Sequence, residues 1–287
     1  MPLLITDYLK KESLNLKVDG LIINSSLYST FNDSVFSLSE IKKISKEIKK
    51  NNFKLIINCD RIIPENEIVL FQEFINQIKK IDFDYFIYSD YAVLNLFDYK
   101  DYDKLIYDSK TLVCTKEELE VIPTKSFISS ELSLDEIKCF NTSTKEYAVD
   151  AFGYRQMMYS RRPLLSLVLP KGKAKTNNLY DLVEETRDEK YKIYETKRNK
   201  YNYGTFVYNK GVYCLFEELK ELKNINFIRL NSMFLGDIIE DIATEYYKLF
   251  NEKKYEFETI LRVLDEHQIS IDNTFLTRES VLLKECK

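Results

Sequence analysis

The chain alternates short apolar runs with longer amphipathic stretches through most of its length. The apolar runs are nearly continuous in Ile, Leu, Val, Phe and Tyr, which is typical of strands buried on both faces of a parallel sheet. The pattern predicts eight strands, at Leu3–Thr6, Gly20–Asn24, Lys54–Cys59, Asp84–Asp90, Lys104–Ser109, Phe127–Glu131, Glu146–Gly153 and Asn226–Phe234.

The stretches between these runs carry the helical period, with apolar residues on one face at 41–48 and again at 68–78. A capping box, in which a Ser or Thr and a Glu three residues later bond each other's backbone N–H, marks three helix starts. These are Ser37-x-x-Glu40, Thr115-x-x-Glu118 and Ser133-x-x-Glu136. Eight strand–helix units predict an α/β fold, a TIM-type (β/α)8-like barrel.

The interval at about 167–225 departs from this alternation. Residues 171–190 are polar and charged, and the segments after them predict a small antiparallel β insertion. Its strands are Tyr191–Glu195, Thr205–Asn209 and Val212–Phe216, with Asn209-Lys210-Gly211 as a tight turn. Helices follow at about 237–251 and 255–266. We therefore expect a single barrel-like domain over 1–287, with the insertion and C-terminal helices.

Polar residues stand at or just past the C-terminal ends of the predicted strands. They are Asn24, Asn58, Asp90, Asp108, Ser109, Glu131 and Asn231. In a barrel these ends gather on one face, where barrel enzymes keep their sites, so the set predicts one pocket. A structural interpretation stays open for each residue, because Asp90 can cap the following helix and Glu131 can brace an arginine.

Residues 152–166, FGYRQMMYSRRPLLS, leave the seventh strand at the same face. The adjacent Arg161 and Arg162 lie between apolar residues, where guanidinium groups need anionic partners. They predict a site for a carboxylate or phosphate, although pairing with the protein's own carboxylates would also satisfy them. The predicted ligand-binding set is Arg161, Arg162, Tyr159, Tyr154, Asn58, Asp90 and Glu131. The sequence assigns no catalytic residue and no metal site.

Composition narrows the functional classes. A net charge of −4 and a pI near 5.4 give no general basic field, so an RNA role would need a local patch or a partner. Five scattered cysteines without C-x-x-C spacing suit reduced thiols in a cytoplasmic protein. The single histidine, His267, gives little support to histidine-dependent hydrolysis. No apolar run approaches the roughly 20 residues that span a bilayer, so we expect no membrane role.

Four segments together resemble the collagenase-like peptidase family U32. They are Asp84-x(5)-Asp90, Lys104-Leu105-Ile106-Tyr107-Asp108, the run from Glu131 to Ile137, and the signature from Phe152 to Ser166. The likeness runs from about Asp19 to Ser166, and more weakly beyond it. The resemblance implies a TIM-type barrel. The family name implies a peptidase, a hydrolase, although the family has no agreed catalytic residues.

Several members of that family bind a four-iron four-sulfur cluster through four cysteines. Their signature begins histidine-glycine and carries two of those cysteines. The matching positions here are Phe152, Gln156 and Pro163. The resemblance therefore implies the short subgroup that lacks the cluster, and we expect this chain to bind no cofactor.

Short members look like partners of longer, cysteine-bearing relatives in prephenate-dependent 5-hydroxylation of the tRNA wobble uridine. The resemblance implies that role here, with prephenate as co-substrate and with tRNA and a longer family member as partners. Two alternatives stay open. One is a collagenase-like peptidase, and the other is a non-catalytic barrel scaffold.

Overall fold

A computed structural model of the chain describes residues 1–31, 33–170, 172–173, 175, 178–184, 189–197, 203–252 and 254–278. Its strands are β1 Leu3–Asp7, β2 Gly20–Asn24, β3 Lys54–Cys59, β4 Tyr85–Tyr88, β5 Leu105–Tyr107, β6 Lys125–Ser126, β7 Tyr147–Ser160, β8 Leu179–Glu184, β9 Glu189–Lys197, β10 Tyr203–Cys214 and β11 Ile225–Leu230. The predicted polar stretch at 171–190 lies partly outside these residues.

The helices of the described residues alternate with the parallel strands. The α-helices are α1 Leu38–Lys50, α2 Ile68–Ile78, α3 Ala92–Leu96, α4 Lys116–Val121, α5 Leu134–Cys139, α6 Leu165–Val168, α7 Ile239–Asn251, α8 Phe257–Glu266 and α9 Thr274–Thr277. Short 3-10 helices span Lys11–Asn15, Glu65–Glu67, Tyr99–Lys104, Phe140–Thr142, Glu217–Glu221 and Gly236–Ile238. All three predicted capping boxes are confirmed, at the starts of α1, α4 and α5.

The strands form one large, mostly parallel sheet in the order β6-β5-β4-β3-β2-β1-β11-β7-β10-β9-β8. The strands from β6 to β7 run parallel, and β10, β9 and β8 continue the sheet antiparallel. A parallel bridge between Phe127, just after β6, and Ala148 of β7 joins two segments that are distant in this order. The carboxyl ends of the parallel strands therefore lie on one side of a mixed α/β fold.

Two apolar clusters form the core of the sheet. The larger cluster includes the inward faces of the helices, such as Ile41 and Ile48 of α1 and Phe71 of α2. The smaller cluster holds one residue from each of seven parallel strands, together with Phe127, which directly follows β6. Its members are Ile5, Ile22, Ile56, Ile87, Ile106, Phe127, Ala148 and Phe227.

Strand pairing corrects two predictions, one for the end of the seventh strand and one for the insertion. Residues up to Ser160 continue β7 past the end of its parallel neighbour, because β10 supplies an antiparallel partner on that edge. The predicted turn at Asn209-Lys210-Gly211 is wrong, since β10 runs through it with a shift of register. An ideal Cβ on Gly211 would lie 2.6 Å from the carbonyl oxygen of Ser270. Close approach of the C-terminal segment, and not a turn, accounts for this glycine.

The cysteines differ from expectation at one position. Cys59, Cys114 and Cys214 are outside disulfide bonds, but Cys139 is disulfide-bonded, so the prediction of a wholly reduced set is wrong there. Across the described residues, no helix is long and apolar enough to cross a membrane.

Gly153 allows β7 to pass close to the residue that follows β11. Its φ is +118°, and an ideal Cβ would lie 2.3 Å from the carbonyl oxygen of Asn231. The amide N–H of Asn231 in turn donates to the carbonyl of Phe152 at 2.8 Å. Only glycine fits this contact, because any side chain would meet backbone that cannot move aside.

We predict that Gly153→Ala lowers the free energy of unfolding by about 3–5 kcal/mol, from backbone strain plus overlap with Asn231. The matched control is Gly236→Ala, where φ is +56° and the built Cβ meets nothing within 4 Å. That change should cost only about 1 kcal/mol. Urea unfolding followed by circular dichroism measures both. Equal losses of unfolding free energy in Gly153→Ala and Gly236→Ala would contradict the role assigned to the Asn231 contact.

Candidate functional site

A cavity of about 60 Å³ lies at the carboxyl ends of the parallel strands. Residues from β1, β2, β3, β7, β10 and β11 and from the segments after β2, β3, β5, β6 and β11 line it. This is the face where the sequence placed its polar strand ends. The lining carries three aspartates, two arginines and one lysine.

Arg229 of β11 is the centre of a buried ion-pair network. Its Nε and Nη2 donate to the two carboxylate oxygens of Asp150 at 2.5 and 2.8 Å, and its Nη1 donates to Asp108 at 2.6 Å. Lys110 links Asp108 at 2.7 Å to Asp60 at 2.9 Å. These contacts tie the ends of β3, β5, β7 and β11 together.

Electrostatics hold this network charged. Burial opposes ionisation of Asp108, but the charges of Arg229 and Lys110 outweigh it and keep the pKa of this carboxyl well below 3.8. Burial also disfavours the charged form of Arg229, yet Asp108 and Asp150 hold its pKa well above the usual value. Both partners are therefore ionised at neutral pH, and the contact is an ion pair.

A second chain of polar groups runs along the ends of β1, β2 and β3. The backbone N–H and the hydroxyl of Ser232 donate to Asp7 at 3.1 and 3.0 Å. The Asn24 amide donates to Asp7 at 2.9 Å, and the Asn58 amide donates to the Asn24 carbonyl at 2.8 Å. Burial raises the pKa of Asp7. Within the described residues the Oδ1 of Asn58 is buried and has no donor.

Arg155 of β7 is the cation that the network leaves out. Its side chain is 5% exposed, and its guanidinium carbon lies 4.0 Å from the Tyr213 ring centroid and 5.2 Å from that of Phe275. None of its three nitrogens has a hydrogen-bond acceptor in the described part of the chain. Burial lowers the pKa of Arg155, although Asp150 and other carboxylates at longer range oppose this shift.

The cavity has no excess of positive charge, because Asp60, Asp108 and Asp150 match the three cations and Asp7 adds a further carboxyl group. What distinguishes Arg155 is hydrogen bonding and not net charge. A buried donor without an acceptor costs about 1–3 kcal/mol, and more when it is charged. An anionic group in the cavity would remove that cost, so the arrangement is suited to binding an acid.

The structure brings some of the predicted site residues together. Asn58 and Tyr154 line the cavity. Tyr159 lines an adjoining groove and stacks on Phe206 with ring centroids 4.6 Å apart. Asp90 accepts from the backbone N–H groups of Ile63 at 2.7 Å and Ala92 at 2.9 Å, so its structural interpretation holds.

The remaining predicted residues lie apart from the cavity lining. Arg161 forms an ion pair with Glu67 at 3.2 Å, next to the buried pair of Glu67 with Arg61. Arg162 and Glu131 are exposed. Ligand binding by these three residues stays a prediction.

Sequence reasoning missed Arg155, although it lies inside the singled-out segment. It is the only charged residue between Ala151 and Ser160, which was a usable signal for a buried charge on a strand. Arg229 and Asp150 lie within β11 and β7, and nothing near either residue in the sequence indicates its partner. Their pairing depends on which strands become neighbours.

The cysteines do not fit the four-cysteine cluster of some relatives. Cys59 lies on β3 and Cys214 on β10, each buried, while Cys139 is committed to a disulfide. Phe152, at a matching position, packs against Tyr246 with ring centroids 6.2 Å apart. Among the described residues, no group of three or more His, Cys, Asp or Glu side chains has metal-binding geometry.

We predict that Asp108→Asn lowers the free energy of unfolding at pH 7 by about 3–5 kcal/mol, because Arg229 and Lys110 lose a shared buried partner. The folded-state pKa of Asp108 is depressed, so its stabilisation is complete above the unfolded pKa and is lost as pH falls through the lower folded value. The difference between wild type and variant should therefore shrink below about pH 4.

Urea unfolding at pH 7 and pH 3 checks this expectation. Asp98→Asn is the matched control, since the Asp98 side chain is 70% exposed and its ion pair in the described part of the chain is with exposed Lys100 at 3.5 Å. It should change stability by less than about 1 kcal/mol at either pH. If Asp108→Asn lowers the free energy of unfolding by the same amount at pH 7 and at pH 3, the ion-pair assignment is contradicted.

Comparisons with known proteins place the chain in a family. The sequence profile described as Peptidase family U32 matches residues 17–235, which is more than half of the chain. Among solved structures the chain is similar to the U32 Peptidase Mk0906, with 12% identity and a TM-score of 0.48, over 80% of this chain and 92% of that chain. No curated protein matches. The chain belongs to peptidase family U32.

Proposed function

We propose that this protein binds a carboxylate-bearing small molecule at the mouth of a TIM-type barrel and serves prephenate-dependent 5-hydroxylation of the tRNA wobble uridine. The bridge from Phe127 to Ala148 and the eight-membered apolar cluster support closure of the parallel strands into a barrel. In such a barrel the carboxyl ends of the strands form the ligand-binding face.

The observation that carries the proposal is Arg155. A guanidinium that is 5% exposed and has no acceptor within the described residues needs an anionic partner from outside the chain. A carboxylate matches the planar fork of its donors. The rings of Tyr213 and Phe275 restrict the guanidinium from two sides, so it is held ready for the ligand.

The space around Arg155 suits a ligand with an acidic head and a larger body. The cavity of about 60 Å³ is too small for a ring, because about 150 Å³ is needed to hold benzene. An adjoining groove of about 260 Å³ shares Thr30, Asp60, Lys110 and Gln156 with the cavity. A carboxylate of prephenate would meet Arg155, and its ring would lie in the groove beside Tyr159.

The RNA part of the proposal rests on family membership and the Phe152 to Ser166 signature. The acidic net charge suits a subunit that holds the small molecule while a longer, cysteine-bearing relative contacts the tRNA. We assign this chain ligand binding and no redox step. Its cytoplasmic location is part of the same proposal.

Peptidase chemistry has less support from the geometry. The only histidine, His267, ends α8, and its Nδ1 contacts the carbonyl of Val263 at 2.8 Å. The carboxylates of Asp60, Asp108 and Asp150 are held by cations, which leaves them poorly placed to act as a general base. A non-catalytic scaffold would leave Arg155 without a ligand, so the same test separates that alternative.

We predict that Arg155→Met reduces 5-hydroxyuridine-type wobble nucleosides by at least about tenfold in a strain that lacks the native gene. Methionine keeps the apolar contacts with Tyr213 and Phe275 but removes charged hydrogen bonds worth about 1.5–3 kcal/mol. Mass spectrometry of tRNA nucleosides measures the effect. The matched control is Arg262→Met, which changes an exposed arginine on α8.

Wild type and Arg262→Met should restore the nucleosides, and circular dichroism should show that Arg155→Met is folded. Full restoration by a folded Arg155→Met would refute the proposed site. An unchanged nucleoside profile in the deletion strain would refute the tRNA role itself. The double variant Arg161→Ala, Arg162→Ala in the same strain tests the sequence-based anion site independently.

A further inference from the structure

We propose that the Oδ1 of Asn58 accepts a hydrogen bond from the ligand, so that the cavity selects acids carrying a hydroxyl or N–H donor near the carboxylate. This inference rests on the proposed function, because it takes the acid group to lie at Arg155. It assigns Asn58 a role in specificity and defines the ligand class as hydroxy acids and acids with an equivalent donor.

The orientation of Asn58 is fixed by a chain of donors and acceptors. Asp7 accepts hydrogen bonds at both of its oxygens: the backbone N–H and the hydroxyl of Ser232 donate to its Oδ2, and the Asn24 amide meets its Oδ1. Asn24 must therefore direct its NH₂ group at Asp7, as the 2.9 Å contact shows. Its carbonyl is then left to face Asn58.

The orientation of the Asn58 amide follows in the same way. Asn58 meets the Asn24 carbonyl at 2.8 Å and must present its NH₂ group there, since a reversed amide would place two acceptors in contact. Its own Oδ1 is left over. In the described residues this buried oxygen has no donor, although Asn58 lines the cavity.

In the same cavity, Arg155 has hydrogen-bond donors without an acceptor and Asn58 has an acceptor without a donor, within the described residues. Four buried side-chain atoms of the cavity lining lack partners in the described chain: three nitrogens of Arg155, which only donate, and the Oδ1 of Asn58, which only accepts. Nearby Thr30 cannot supply Asn58, because its N–H and hydroxyl both donate to Asp60. A bare carboxylate satisfies Arg155 alone, and a hydroxy acid satisfies both residues.

The size of the cavity limits how far apart the two ligand groups can be. A volume of about 60 Å³ corresponds to roughly four to six water-sized positions. A hydroxyl and a carboxylate on neighbouring carbons fit that space, and any larger body extends into the adjoining groove. A site that hydrogen-bonds a hydroxyl rejects the analogue without it, because its own polar group is then left unpaired.

Lactate and propionate are the matched probes, since they differ only by one hydroxyl. We expect wild-type protein to bind lactate at least about tenfold more tightly than propionate, in NMR titrations at constant ionic strength and pH 7. In Asn58→Leu the two dissociation constants should become equal. Asn251→Leu, at an exposed asparagine that ends α7, is the control and should keep the wild-type preference.

The outcomes separate this inference from the proposed function. Equal binding of both acids by wild type, abolished in Arg155→Met, would overturn the role of Asn58 and leave the anion site standing. A lactate preference that persists in Asn58→Leu would also overturn it. Failure of wild type to bind either acid would overturn the anion site and this inference together. The wild-type ratio decides by itself if Asn58→Leu does not fold.

Discussion

The pairing of Arg229 with Asp108 and Asp150 is the contact on which the rest of this site depends. It holds the ends of β5, β7 and β11 in one arrangement, with three hydrogen bonds of 2.5–2.8 Å in a buried setting. By using those carboxylates it also leaves Arg155 without a partner in the described residues. One arginine therefore organises the structure, and the other is left available for a ligand.

The parallel part of the fold could be predicted from local signals. Buried parallel strands are almost wholly apolar, and the capping boxes at Ser37, Thr115 and Ser133 mark helix starts by chemistry that acts within four residues. The region around β10 could not be predicted this way. Gly211 looks like a turn glycine, but its reason lies in the close approach of Ser270, a contact between residues far apart in sequence.

The sequence analysis placed polar residues at the strand ends that border the cavity, but it did not single out Arg155. Strand-end residues such as Asn58 do converge on the cavity, because parallel strands bring their carboxyl ends together. The sequence drew attention to Arg161 and Arg162 because they are adjacent. Both lie just after the end of β7, where Arg161 pairs with Glu67 and Arg162 is exposed. Arg155 stands out in the sequence as the one charged residue between Ala151 and Ser160, but its contacts with the Tyr213 and Phe275 rings and its lack of an acceptor among the described residues depend on the folded structure.

A crystal structure of the protein with prephenate tests the central claim most directly. We expect a carboxylate oxygen of prephenate at about 2.7–2.9 Å from a guanidinium nitrogen of Arg155, the distance of a charge-assisted hydrogen bond. The ring should lie in the groove beside Tyr159. An Arg155 that pairs with Asp150, Asp272 or Glu131 instead, with prephenate absent or bound elsewhere, would contradict the assignment of this cavity as an acid-binding site.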